Sequence, residues 1–335
     1  MSLLFATLRK MLIPVVLIFF ALLIPTIVFA AESEAVVDFD QWLAEFKSEA
    51  INSGISSSLL DKAFAGVKPR EKIIKSDRKQ PEFTRTLDTY LANAINEVRI
   101  KKGKKLLRKY WKLFDRTDAD FQVQSRILVA LWGVETDFGR NMGSESVFQA
   151  LATLAYDSRR GAYFRRELLD ALRLVDQRSV PLERMKGSWA GAVGQVQFMP
   201  SVLLTYGVDF DGSGDIDIWT SEYDALASAA NYLTQRGWQK GWTWGREVTL
   251  PTALDTNLYG LDVEKSLLDW QKIGVRGVGG ADLPNVDIMA SLIRPDGDSG
   301  RAFLVYDNYR KLLVWNRSHK FAIAVGLLAD QIGQP

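Results

Sequence analysis

The sequence predicts a mainly α protein of the α+β class, on three observations. From residue 38 to about 246, apolar residues recur at helical spacing between glycine stops. After about residue 247 the texture changes to short β-prone pieces with Gly, Pro and Asp turns, such as "REVTLPTALDT" and "VRGVGGADLPN". The chain then closes on a helical "HKFAIAVGLLADQI". The expected organisation is a signal peptide or anchor at 1–30, a helical N-terminal domain at 31–115 and a core at 116–246. A small β-containing domain at 247–310 and a segment at 311–335 that returns to the core complete it.

At the N-terminus, Arg9 and Lys10 precede a long apolar run, Met11 to Phe29, and then small Ala30 and Ala31 beside Glu32. This suits a secretory signal cleaved after Ala30. The run is also nearly long enough to span a bilayer as an uncleaved anchor. Of 42 basic and 40 acidic residues, Arg9 and Lys10 belong to this segment, so the mature chain is formally neutral. The basic balance therefore does not point to nucleic acid.

Composition removes several chemistries. There is no cysteine, hence no disulfide, thiolate nucleophile, cysteine-ligated zinc or N-terminal lipid on a thiol. The single histidine, His319, precludes HExxH and multi-histidine metal sites. It sits in "WNRSHKFAIAV", with no G-x-S-x-G elsewhere, and reads as a surface or helix-start residue. No GxGxxG or GxxxxGK[ST] loop occurs, so no organic cofactor is expected. Carboxylates, amides, hydroxyls and aromatics remain, a set suited to glycosidic bonds.

"DFDQWLAEFKSEAINSG" has helical spacing and a glycine stop, and helix formers continue through "PEFTRTLDTYLANAINEVRIKKGKKLLRKYWKLF". Residues 99–112 carry eight basic side chains, which suit an anionic polymer or membrane surface, or simply a solvated helix face. In "RTDADFQVQSRILVALWGVETDFG" a helix is expected from a Thr117 or Asp118 cap to Gly139. Leu128, Leu131, Trp132 and Glu135 share one face of it. A carboxyl among large apolar side chains at a helix C-terminus has its protonated form favoured by burial and by the dipole. Asp137 lies about 200° round the helix and is expected to cap or pair locally. Glu135 is thus placed like a general acid.

"GAYFRRELLDALRLV", "SVLLTYG" after Pro200 and "SEYDALASAANYLTQRG" read as helices. Between the first two, "KGSWAGAVGQVQFMP" offers close backbone approach through its glycines. Ser188, Gln195 and Gln197 add hydrogen bonds, and Trp189 and Phe198 apolar faces. This mixture suits a sugar, with hydroxyls at its edges and C–H groups on its faces. "DFDGSGDIDIWT", residues 209–220, fits much of an EF-hand loop. Asp209, Asp211 and Ser213 fall at positions 1, 3 and 5, Gly214 at 6, Asp215 at 7 and Asp217 at 9. Position 12 is Thr220, and Glu222 or Asp224 could supply the missing carboxylate in a longer loop, 209–224. Such oxygens suit Ca²⁺ in a structural role. Further on, "RAFLVYDNYRKLLVW" reads as a hairpin.

Together these stretches resemble the membrane-bound lytic murein transglycosylase B family. "LWGVETDFGRNMGSESVFQALATLAYDSRRGAYF", "KGSWAGAVGQVQFMPSVLLTYGVDFDGSGDIDIW", "ANYLTQRGW" and "VWNRSHKFAIAVGLLAD" carry the resemblance. It implies a lysozyme-like catalytic core beside the helical and β-containing domains. It also implies cleavage of the β-1,4 bond between N-acetylmuramic acid and N-acetylglucosamine in peptidoglycan, leaving 1,6-anhydro ends. Glu135 would serve as acid and then base. Arg159, Arg160, Ser188, Gln197, Phe198 and Tyr232 match the family's substrate positions. Trp315 and Phe321 stand where the family usually has tyrosines, with Asn316 between them. The implied partners are glycan strands and cell-wall synthesis proteins. The implied place is the periplasm, free or held to the inner membrane by an uncleaved N-terminal segment. A lysozyme-like muramidase and a non-catalytic wall-binding or calcium-binding scaffold are the alternatives.

Overall fold

The computed structural model describes residues 38–79 and 85–334. The segment read as a signal or anchor lies outside them. Among the described residues no helix is long and apolar enough to cross a membrane. The chain runs through α1 (Phe39–Asn52), α2 (Ser57–Ala63), α3 (Glu71–Arg78), α4 (Leu87–Ala94), α5 (Glu97–Lys109), α6 (Trp111–Phe121) and α7 (Ser125–Thr136). It continues with β1 (Glu145–Ser146), α8 (Val147–Tyr156), α9 (Gly161–Gln177), β2 (Lys186–Gly187), α10 (Pro200–Tyr206) and α11 (Glu222–Gln235). Then come β3 (Gly245–Thr249), β4 (Lys265–Ser266), α12 (Leu267–Lys272), β5 (Arg276–Gly277), β6 (Met289–Ile293) and β7 (Ala302–Val305). The last two helices are α13 (Asp307–Trp315) and α14 (His319–Gly333). Asp38, Ser56, Asn96, Ser146, Ser221 and Ser318 cap their helices, each accepting a first-turn backbone N–H.

The last helix lies at the centre. Ala322, Ile323, Ala324, Val325, Leu328 and Ala329 of α14 are fully buried, as a helix apolar on all sides must be. It packs on α7, α4 and α5. A side chain at Gly326 would collide with Trp244, whose ring lies 2.2 Å from where a Cβ would stand. The small sheet is antiparallel, in the order β4-β6-β7-β3-β5. Its faces alternate as strand geometry requires: Leu292 and Leu304 join a cluster with Trp270, while Ile293, Phe303 and Val305 face the helices.

Two expectations need correction. "RAFLVYDNYRKLLVW" is not a hairpin but β7 followed by α13. All of Ala302–Val305 is buried, and from Asp307 the buried set becomes Asn308, Tyr309 and Leu312, a helical period. Nor does one helix run from Thr117 to Gly139. Gln122, in the left-handed region at φ 59°, ends α6, and Thr117 is buried with its hydroxyl on the Phe114 carbonyl. The Gln124 side chain accepts from Trp238 Nε1 and donates to the Trp242 carbonyl, fixing the start of α7.

Candidate active site

α7 ends one residue after Glu135. Asp137, Phe138 and Gly139 follow with φ of 52°, 61° and 79°, a left-handed run that is costly for two of its three residues. Its partners come from the basic run. Arg99 pairs with the Asp137 carboxylate at 3.5 Å, and Lys102 donates to the Asp137 carbonyl at 3.1 Å and lies over the Phe138 ring. Arg140 pairs with the same carboxylate at 3.1 Å. Asp137 is thus a local pairing group, as expected, and part of the basic run holds this turn. Thr136 fastens the helix end to the glycine-rich loop. Its hydroxyl donates to the Gln195 carbonyl at 2.6 Å and accepts from Gly139 N–H at 2.9 Å. Thr136→Val leaves the carbonyl of buried Gln195 and the N–H of half-buried Gly139 without this partner, and should lower stability by about 1–3 kcal/mol in urea unfolding. A change within a few tenths would show that the staple contributes nothing.

Glu135 is half-buried. Its Oε1 accepts a 2.7 Å hydrogen bond from the Trp315 indole Nε1, at the end of α13. Trp315 packs on Phe198, with centroids 5.1 Å apart, and edge-on against Tyr232 at 5.3 Å. Tyr206 adds a further edge contact to Tyr232. Burial pushes the Tyr232 phenol up in pKa, against the opposing pull of the Arg236 guanidinium stacked over its ring. The acid therefore sits beside an aromatic floor.

A cleft of about 360 Å³ opens along the same loop, lined by Ser188, Trp189, Gln197, Asn141, Gly143 and Glu145, and by Lys72, Ile73 and Ser76 of α3. The loop is folded on itself: the Ser188 hydroxyl accepts from Ala190 and Ala192 N–H, and Gln197 Nε2 donates to the Met142 and Gly194 carbonyls. At Gly143 (φ 88°) a Cβ would stand 2.1 Å from the Gly187 carbonyl oxygen, so only glycine allows this close approach. Gln195 is buried, its backbone bonded to Ile218 and Thr136, and works in the scaffold.

The other predicted residues fall around this centre. Arg159 and Arg160 both pair with the buried carboxylate of Asp77 on α3, Arg159 at 2.6 Å. Arg78 pairs with Asp157 at 2.9 Å. The arginines thus fasten the helix that forms one cleft wall. Asn316 Oδ1 accepts from Ser318 N–H, shaping the turn into α14, and Phe321 is 3% exposed, within the core. His319 starts α14; its Nδ1 lies 2.7 Å from the Tyr309 hydroxyl, and burial lowers its pKa. The sequence did not single out Lys72, Ser76, Asp77, Asn141, Glu145 or Tyr206. Only the polar "RNMGSES" after the acid hinted at any of them.

In the 209–224 loop, oxygen atoms of Asp209, Asp211 and Asp224 lie within 4.8 Å of one another. Ser213 Oγ stands 3.1 Å from Asp215 Oδ1 and 3.3 Å from its carbonyl. Hydrogen bonds from Ser221 and Ser213 hold the Asp211 carboxyl below its usual pKa, while burial raises that of Asp224. Asp224 accepts from the N–H groups of Phe210, Asp211 and Asp217, bracing the loop from inside. Asp217 turns to Arg184 at 2.9 Å and to Trp219 and Thr220 N–H. The converging hard oxygens of Asp209, Asp211 and Asp224 suit Ca²⁺, with Ser213 beside Asp211, whereas Asp215 lies 3.9 Å from Arg184. Asp217 fits less well.

Fold and site together define a mainly helical protein with an acid held by packed aromatics at a helix end, which is fastened to a glycine-rich loop whose amides and hydroxyls line a cleft. Residues 38–330 match the family model described as "Transglycosylase SLT domain", and the chain belongs to that family. It is 32% identical over 253 residues to the Escherichia coli membrane-bound lytic murein transglycosylase B, across 72% of this chain and 66% of that one, just under two thirds of its length. Among solved structures it is similar to Pseudomonas aeruginosa SltB3 in complex with NAG-NAM-pentapeptide: TM-score 0.84, 44% identity, 89% of this chain and 80% of that one. Escherichia coli SLT35 in complex with calcium aligns with TM-score 0.75 and 28% identity, over 87% of this chain and 92% of that one. The fold is the lysozyme-like one of these lytic transglycosylases.

Proposed function

We propose that the chain is an exported lytic transglycosylase acting on peptidoglycan in the periplasm. The observation that carries this reading is Glu135, held by Trp315 beside the Phe198–Tyr232 floor and the Ser188–Gln197 loop. Glu135 gives its proton to the glycosidic oxygen, and the bond from that oxygen to the muramoyl C1 breaks. The N-acetyl oxygen of the same sugar stabilises the cation at C1. The C6 hydroxyl then attacks C1 and returns its proton to Glu135, closing the 1,6-anhydro ring and restoring the acid. No water enters, and no second carboxylate is required. Names of the relatives support the substrate class. In this reading Arg159 and Arg160 act through α3, and the half-exposed Trp189 and Trp315 receive the sugar face, with Phe198 and Tyr232 buried behind Trp315.

One observation favours hydrolysis as a second reading: Glu145 lines the cleft, paired with Arg70 at 2.9 Å. Mass spectrometry of digested peptidoglycan separates the two. Anhydro ends, lighter by one water, are expected; reducing ends would establish a muramidase.

The 209–224 loop would hold a structural Ca²⁺. EDTA should lower the unfolding temperature and Ca²⁺, not Mg²⁺, should restore it, contributing about 2.7 kcal/mol at a hundredfold excess over Kd. In Asp209→Asn the response should vanish. An unchanged melting curve with and without chelator would rule the ion out.

A further inference from the structure

We propose that Trp315 selects which oxygen of Glu135 carries the proton, making it a positioning residue for the acid. This rests on the proposed acid–base role of Glu135. An indole N–H donates and never accepts. At 2.7 Å from Oε1 it makes that oxygen the acceptor in both protonation states. A carbonyl oxygen accepts better than a hydroxyl oxygen, so the protonated form carries its hydrogen on Oε2. In the first step Oε2–H meets the glycosidic oxygen. In the second, Oε2 takes the C6 hydroxyl proton while the indole stabilises the charge on Oε1.

The indole is held so that its N–H keeps this direction. Its ring is wedged between Phe198, at 46°, and Tyr232, at 89°, which are only 3% and 5% exposed. Tyr232 is tied in turn to the residue before Trp315, through its hydroxyl on the Val314 carbonyl, and lies under Arg236. The Asn316 N–H bonds back to the Leu312 carbonyl, ending α13 at this position. A tyrosine, the usual residue here in the resembling family, presents a hydroxyl that rotates and can accept as well as donate. Tryptophan removes that freedom.

Trp315→Phe keeps an aromatic ring against Phe198 and Tyr232 and deletes the donor together with one ring of the indole. The readout is a ¹³C NMR titration of the Glu135 carboxyl, assigned with Glu135→Gln, alongside the pH profile of anhydro-end formation. Losing a donor to the charged form should raise the Glu135 midpoint by about one pH unit and carry the limb of kcat/KM with it. Turnover should fall roughly tenfold at constant KM, and Trp315→Tyr should recover part of it. A midpoint that stays in place, or a loss confined to KM, would reduce Trp315 to a stacking wall. Should Trp315→Phe fail to fold, the wild type still decides. The Trp315 indole ¹⁵N–¹H signal must titrate with the Glu135 midpoint, and independence of the two would overturn the proposal. If they titrate together while no anhydro ends form, the activity reading fails and this one stands.

Discussion

Glu135→Gln should lower the rate of anhydro-end formation by about 10³-fold or more. General acid–base catalysis contributes about 10²–10⁴ in a single step, and here one carboxyl serves both steps. The substitution is nearly isosteric. The amide oxygen can still accept from Trp315 Nε1, so the aromatic floor and the end of α7 stay in place. The loss should therefore appear in kcat, with the unfolding midpoint moved by less than about 1 kcal/mol. Muropeptide mass spectrometry measures the first and urea unfolding the second. A variant that kept a tenth of wild-type turnover would remove Glu135 from the chemistry. One that kept every biological effect without turnover would favour a scaffold.

The second large effect is on the cleft wall. Asp77→Ala removes a buried carboxylate that holds Arg159 at 2.6 Å and also engages Arg160. Breaking a fully buried pair costs about 3–5 kcal/mol, but both guanidinia are roughly half exposed, so solvent screens them and about 2–3 kcal/mol is expected. Of the direct ties between α3 and the α8–α9 turn, Arg78–Asp157 and the bond from Arg159 to the Asp77 backbone carbonyl remain. Because Lys72, Ile73 and Ser76 on this helix line the cleft, KM should rise more than kcat falls. Unchanged stability in urea, or an effect on kcat alone, would contradict the role given to this anchor.

Local signals in the sequence reached the acid but not its surroundings. Glu135 stood out because three large apolar residues share its face, and Leu128, Leu131 and Trp132 are all buried. The sugar-suited loop stood out through its glycines, amides and aromatics. What period and composition cannot report is pairing across sequence distance. Asp77 meets Arg159 from 82 residues away, and Trp315 meets Glu135 from 180. The boundary errors share a cause: the breaks at Gln122 and Asp137 are left-handed turns at residues other than glycine, where no sequence signal marks a stop. The mistaken hairpin shows the converse. "AFLV" is strand-like and "DNYRKLLVW" helical, but the change of period falls on one residue, Tyr306, with no Gly or Pro to announce it.

The order of synthesis gives the central helix a further consequence. Every described element packed around α14 precedes it in the chain, and the indole that grips Glu135 precedes it by only a few residues. A growing chain carries the acid for about 180 residues of elongation with neither its donor nor the middle of its core. Long-range closure of this kind is slow to form and leaves apolar surface exposed until it does. In the proposed reading, the same delay withholds the indole donor of Glu135 from any chain that has not yet reached residue 315.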